Sequence, residues 1–149
     1  MKHLLLIACT SLIGLSSSAQ CINGVLMEPI HDLGSELVSV IDSLEYEIVR
    51  MEYDLIFTKK ESFRTLTSDW EYYIFAFADG GVKDLNMKLY GLNEETNEWD
   101  FVASDMEEYE NAYIVTKPPS TGNYKIVLEI AEFFEGYTAA RYGLMYAHE

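Results

Sequence analysis

Asp79 and Asp84 bracket the turn in FADGGVKDL, and Asp105 ends a later segment, EWDFVASD. Carboxylates at the ends of neighbouring strands are the groups that calcium selects, since the ion fills about six to eight positions with oxygen. A second reading of the same residues is turn closure, in which each aspartate accepts a backbone N–H and fixes a strand end. No EF-hand spacing is present. A calcium cofactor is therefore expected only if Asp79, Asp84 and Asp105 meet on one rim.

The aromatic residues suggest a different chemistry. The chain holds 11 Tyr, 7 Phe and 2 Trp, and flat ring faces on a sheet stack on sugar rings. Trp70, Trp99 and Tyr109 stand near the ends of apolar segments and are the candidate ligand-binding residues. The competing reading is that aromatic residues build strands and fill cores.

Catalysis finds little support. His31 and His148 are the histidines downstream of the leader, both read as exposed, and neither adjoins a nucleophile motif. G-x-S-x-G, H-E-x-x-H, a phosphate loop and a dinucleotide fingerprint are all missing. Carboxylate pairs are the raw material of glycosidases, but 25 acidic residues place such pairs on any exposed face. The chain is read as a non-enzyme.

Charge and targeting narrow the class further. The opening MKHLLLIACTSLIGLSSSAQC has a short basic start, an apolar run and small residues before a cut. That layout is a signal peptide, residues 1–19, cleaved before Gln20. The apolar run is shorter than the ~20 residues of a membrane span. Lipid attachment is the competing reading; Cys21 follows Gln20 rather than a small residue, and Cys9 would leave a very short leader. The remaining chain is about 130 residues, one domain by size. The full chain's formal net charge of −15 repels phosphate backbones and anionic lipid. Nucleic acid is thus excluded as a partner, leaving a protein or a glycan, bound by a monomer or weak dimer.

These residues need elements to position them. Residues 20–32 form a lead segment containing Pro29, and 33–149 form the domain. Asp32 or Ser35 caps a helix over about 33–48, with Leu37, Val40, Ile41, Leu44 and Ile48 on one stripe. The period then changes to two. Met51, Tyr53, Leu55 and Phe57 alternate, TKKES turns, and Phe63–Thr67 is a short strand. YYIFAFA is near-continuous and suits a central strand covered on both faces. Leu85, Met87 and Leu89 face a core, and GLNEETNEW is a hairpin loop. Trp99, Phe101 and Ala103 alternate, SDMEEYEN is a loop, and Ala112–Thr116 is a strand. KPPSTGN turns, Tyr124–Ile130 alternates, AEFFEGYT is a loop, and Tyr142–Tyr146 ends the set. About eight short strands with regular turns after one amphipathic helix predict a mainly β protein, an antiparallel β-sandwich.

Three pieces carry a resemblance to a known family. YYIFAFADGGVKDLNMKLYG, EWDFVASD and PPSTGNYKIVLEI resemble the aromatic strand and acidic turn, the following strand, and the proline turn with its Tyr-led strand of bacterial pre-peptidase C-terminal domains. Together they span about 100 residues. The resemblance implies a jelly-roll-like sandwich in a secreted protein, acting as a binding or accessory module, with calcium in some members. Here a helix rather than a peptidase is read ahead of the sandwich, and the turn offers only Asp79 and Asp84. The functional expectation is a secreted or periplasmic, non-catalytic binding module. Its alternatives are a calcium-dependent carbohydrate-binding module and a surface lipoprotein with a structural or protein-binding role.

Overall fold

The computed structural model describes residues 24–149; the expected signal segment, Cys9 and Cys21 lie outside them. Helix α1 spans Gly24–Ser43, followed by β1 Glu47–Ile56, β2 Lys59–Leu66, β3 Tyr72–Ala78, β4 Val82–Asn93, β5 Glu98–Asp105, β6 Asn111–Thr116, β7 Gly122–Phe133 and β8 Ala140–His148. The strands form two four-stranded sheets ordered β1-β8-β3-β6 (sheet A) and β2-β7-β4-β5 (sheet B), with every pairing antiparallel. Consecutive strands cross between sheets except at the β4–β5 hairpin. That weave is a jelly roll.

Alternation builds the core. Ile74 and Ala76 of β3, Leu85, Met87 and Leu89 of β4, Ile126 and Leu128 of β7, and Leu144 and Tyr146 of β8 meet between the sheets. Fully burying one such aliphatic side chain is worth about 1.5–3 kcal/mol. The predicted core faces of β4, β7 and β8 are therefore the observed ones. β3 is interior to its sheet, and its second face meets the helix at Phe77.

The expected helix of 33–48 is displaced toward the N-terminus. It runs through Pro29, which removes one backbone hydrogen bond. Met27 and Ile30 compensate by burying against Phe77, beside Leu33, Leu37 and Tyr53. Ile48 belongs instead to β1, after a reversal at Glu45 with φ of 62°. The predicted turn TKKES is also wrong: Lys59–Leu66 is a strand, so the chain turns at Phe57-Thr58. AEFFEGYT is a loop only in part, since β7 continues to Phe133.

β1 departs from the expected orientation as well. Tyr53 packs toward the helix, whereas Glu52 and Asp54 reach polar residues of β2. Asp54 pairs with Lys60, and Ser62 Oγ donates to Glu52 at 3.2 Å. The apolar set Met51-Tyr53-Leu55 therefore serves the outside of sheet A, and this side of the sandwich is closed by a polar seam.

One irregularity matters for the site. Leu89 pairs with Ala103 but Tyr90 pairs with Phe101, leaving Val102 as an extra residue on β5. This β-bulge turns Val102 and Ala103 both toward the core and places Phe101 on the outer face.

Candidate functional site

The outer face of sheet B carries a row that no single segment of sequence displays. Phe63 on β2 is opposite Lys125 on β7, Lys125 is opposite Tyr90 on β4, and Tyr90 is opposite Phe101 on β5. Four strands thus contribute one register position each, about 4.8 Å apart. Trp99, two residues from Phe101, completes the cluster. Its ring lies 5.7 Å from that of Phe63, and Tyr90 meets Phe101 edge-on at 6.0 Å. Lys125 Nζ sits 4.9 Å from the Trp99 centroid and 5.3 Å from that of Tyr90, within cation–π range. Phe63 is 57% exposed and Phe101 61%. A groove of about 500 Å³ adjoins the row at Phe101, with Asn93, Asp100, Ser120 and Thr121 on its walls.

The candidate aromatics separate in space. Trp99 is on a strand of this face rather than at a loop end. Trp70 stacks on His148 with centroids 3.9 Å apart. His148, expected at the surface, is 5% exposed beneath that indole. Tyr109 is exposed beside the start of β4, where its carbonyl accepts the Leu85 N–H at 2.8 Å. Phe63, Tyr90 and Phe101 were missed as site residues. Their outward alternation with Leu89 and Val102 was the available signal, and the strand pairing that unites them was not.

The aspartates take distinct roles. Asp79 Oδ2 accepts from the Arg141 backbone N–H at 3.2 Å and its guanidinium at 3.1 Å. Asp105 accepts from Glu107 N at 3.1 Å and Tyr113 N at 2.8 Å, closing the β5–β6 turn. Asp84 sits in a β4 irregularity with a buried, unpartnered Oδ1. Burial first, then Glu108 and Glu132, raise its pKa above the ordinary carboxylate value, and Asp105 adds to this. Among the described residues no group of three His, Cys, Asp or Glu side chains is arranged to hold a metal. Asp79 and Asn111, each with a buried side-chain oxygen that has no partner, both line one cleft of about 310 Å³.

Sheet A differs on its outside. Leu37 packs beneath the helix, while Val40 and Leu44 are each 53% exposed. Beyond the helix, Ile41, Tyr73, Phe75, Tyr113, Val115 and Met145 line a shallow apolar hollow of about 70 Å³.

No family model and no curated protein matches the chain. Among solved structures it is similar to the pre-peptidase C-terminal domain of a collagenase from Bacillus anthracis, at 10% identity and TM-score 0.48, covering 65% of this chain and 87% of that one. It is also similar to a protein from Sulfurospirillum deleyianum, at 11% identity and TM-score 0.46, covering 67% and 98%. The first bears the family name that the sequence motifs resemble. No helix among the described residues is long and apolar enough to cross a membrane.

Proposed function

We propose that this chain is a non-catalytic, extracytoplasmic binding module that holds a glycan on the outer face of sheet B. The row Phe63–Lys125–Tyr90–Phe101 with Trp99 carries the reading. Large aromatic side chains are normally drawn into a core, yet these leave ring area in water on one continuous surface. A sheet face has its backbone groups already paired in ladders, so it offers a polypeptide few main-chain partners. A sugar ring needs only an aromatic face beneath its C–H side and polar groups at the border. Thr65 and Asn123 form such a border, with their side chains 3.2 Å apart, and the groove beyond Phe101 forms another. The signal-like start supports an extracytoplasmic location; Edman sequencing of secreted protein should begin at Gln20, and an acylated cysteine would favour the lipoprotein alternative.

The test is a glycan array read together with indole fluorescence of a Trp70→Phe chain, in which Trp99 is the reporter. Saturable quenching by a polysaccharide is expected. No array signal and no quenching at millimolar ligand would overturn the reading.

A calcium-dependent form of this reading draws on the orphaned oxygens of Asp84, Asp79 and Asn111. A ligand that binds only the native state raises its melting temperature. Equal melting temperatures in calcium and in chelator would remove that form.

A further inference from the structure

We propose that the platform reads a single carboxylate on an otherwise neutral glycan, with Lys125 as the reading group; this rests on the glycan reading above. The chain has 25 acidic residues against 10 basic ones. Among the described residues six basic side chains lie in ion pairs, with Arg50, Lys59, Lys60, Lys83, Lys88 and Arg141 as the cations. Arg64, Lys117 and Lys125 are in none of them; Arg64 lies over the buried Tyr146 ring and Lys117 follows β6 of sheet A, so Lys125 is the unpaired cation of the row. Its ammonium rests over Trp99 and Tyr90 in the middle of the aromatic row.

The charges around it sharpen the choice. Lys59 pairs with Glu61 at 3.6 Å and Lys88 with Glu129 at 3.7 Å on the same face. Those pairs cancel locally, so Lys125 gives the row an excess of one positive charge. The rest of the acidic surface is screened over about 8 Å at physiological salt. A ring stacked on Tyr90 or Trp99 brings its substituents to Nζ, and an ammonium–carboxylate hydrogen bond is among the stronger polar contacts. A second carboxylate would be disfavoured toward Phe101, where Glu94, Glu95 and Asp100 line the adjoining groove. Sparse uronates on a neutral backbone therefore fit better than a dense polyuronate.

The experiment titrates four probes into the full chain by calorimetry: a xylo-oligosaccharide bearing one glucuronate, its methyl ester, the unsubstituted oligomer, and tetragalacturonate. The acid form should bind about tenfold tighter than its ester, the strength of one charge-assisted contact. Tetragalacturonate should bind more weakly than the single-uronate oligomer. Lys125→Gln should equalise acid and ester, and Lys125→Arg should retain the preference. Equal binding of acid and ester by the parent chain overturns the inference, as does a preference that survives Lys125→Gln or a tightest fit for tetragalacturonate. If none of the four probes binds but another neutral glycan does, this inference falls and the glycan reading stands. If no glycan binds, both fall.

Discussion

The helix-covered part of sheet A and the outer face of sheet B use aromatic residues in opposite ways. On sheet A, Tyr53 and Phe77 lie under helix α1, where Met27 and Ile30 seal them. On sheet B, Phe63 and Phe101 meet water, and a lysine rather than a helix lies over the neighbouring rings. The same residue type is thus structural under the helix and available on the uncovered face of sheet B. Coverage by another element makes the difference, and no count of aromatics reveals it.

The comparison breaks most readily at Gly143. It lies opposite Phe77 on β8, and a methyl group there would strike the Phe77 ring. Gly143→Ala should cost about 2–3 kcal/mol by urea denaturation, as overpacking does in a tight core. A neutral result would mean that the ring and helix shift freely, and that the covered face is as loose as the bare one.

On the bare face the sign of the effect reverses. Trp99→Ala and Phe101→Ala should each lower affinity for the best glycan at least tenfold, as removing a central aromatic anchor does. Stability should change by less than about 1 kcal/mol, because both rings are at least partly solvated. A large loss of stability with unchanged binding would make this face structural too.

A smaller effect is expected at Asp84, on the acidic rim at the start of β4. Its pKa is raised in the folded state, so protonation favours folding and ionisation opposes it. Asp84→Asn should therefore raise the melting temperature at pH 7, and the gain should vanish as pH falls below the ordinary aspartate value of 3.8. Added calcium should leave this gain intact unless Asp84 is a ligand; in that case calcium would stabilise the parent and not the variant. The smallest effect should come at Val40, on the exposed side of α1. Val40→Ser is expected within about 0.5 kcal/mol of the parent, while Leu37→Ala, beneath the same helix, should cost clearly more.

Much of the fold was legible in the sequence. Period-two patterning with regular turns pointed to the sandwich, and Leu85, Met87, Leu89, Ile126 and Leu128 face the core as their spacing predicts. The errors have physical causes. Pro29 reads as a helix stop, but burial of Met27 and Ile30 outweighs one missing hydrogen bond. Glu52 and Asp54 read as solvent-facing, yet they find Ser62 and Lys60 across the seam. The site was much less legible. Trp99 could be singled out by type, but its neighbours lie on four strands drawn from residues 63 to 125, and only the pairing register joins them. Asp79, Asp84 and Asp105 look alike in sequence, whereas Asp79 meets an arginine, Asp84 sits in a β4 irregularity among other carboxylates, and Asp105 closes a turn.

The extra residue at Val102 also bears on how this surface changes through descent. Each position on a strand faces one side or the other by simple parity. With Val102 in a regular ladder, Phe101 and Trp99 would turn inward and Asp100 outward; the bulge absorbs that odd step. Loss of the single codon for Val102 would leave both rings where they are, on a straighter strand. Gain of one codon between residues 100 and 101 would put the Asp100 carboxylate on the outer face in place of the Trp99 indole. A one-residue change of length in β5 therefore alters this surface more abruptly than a point substitution does.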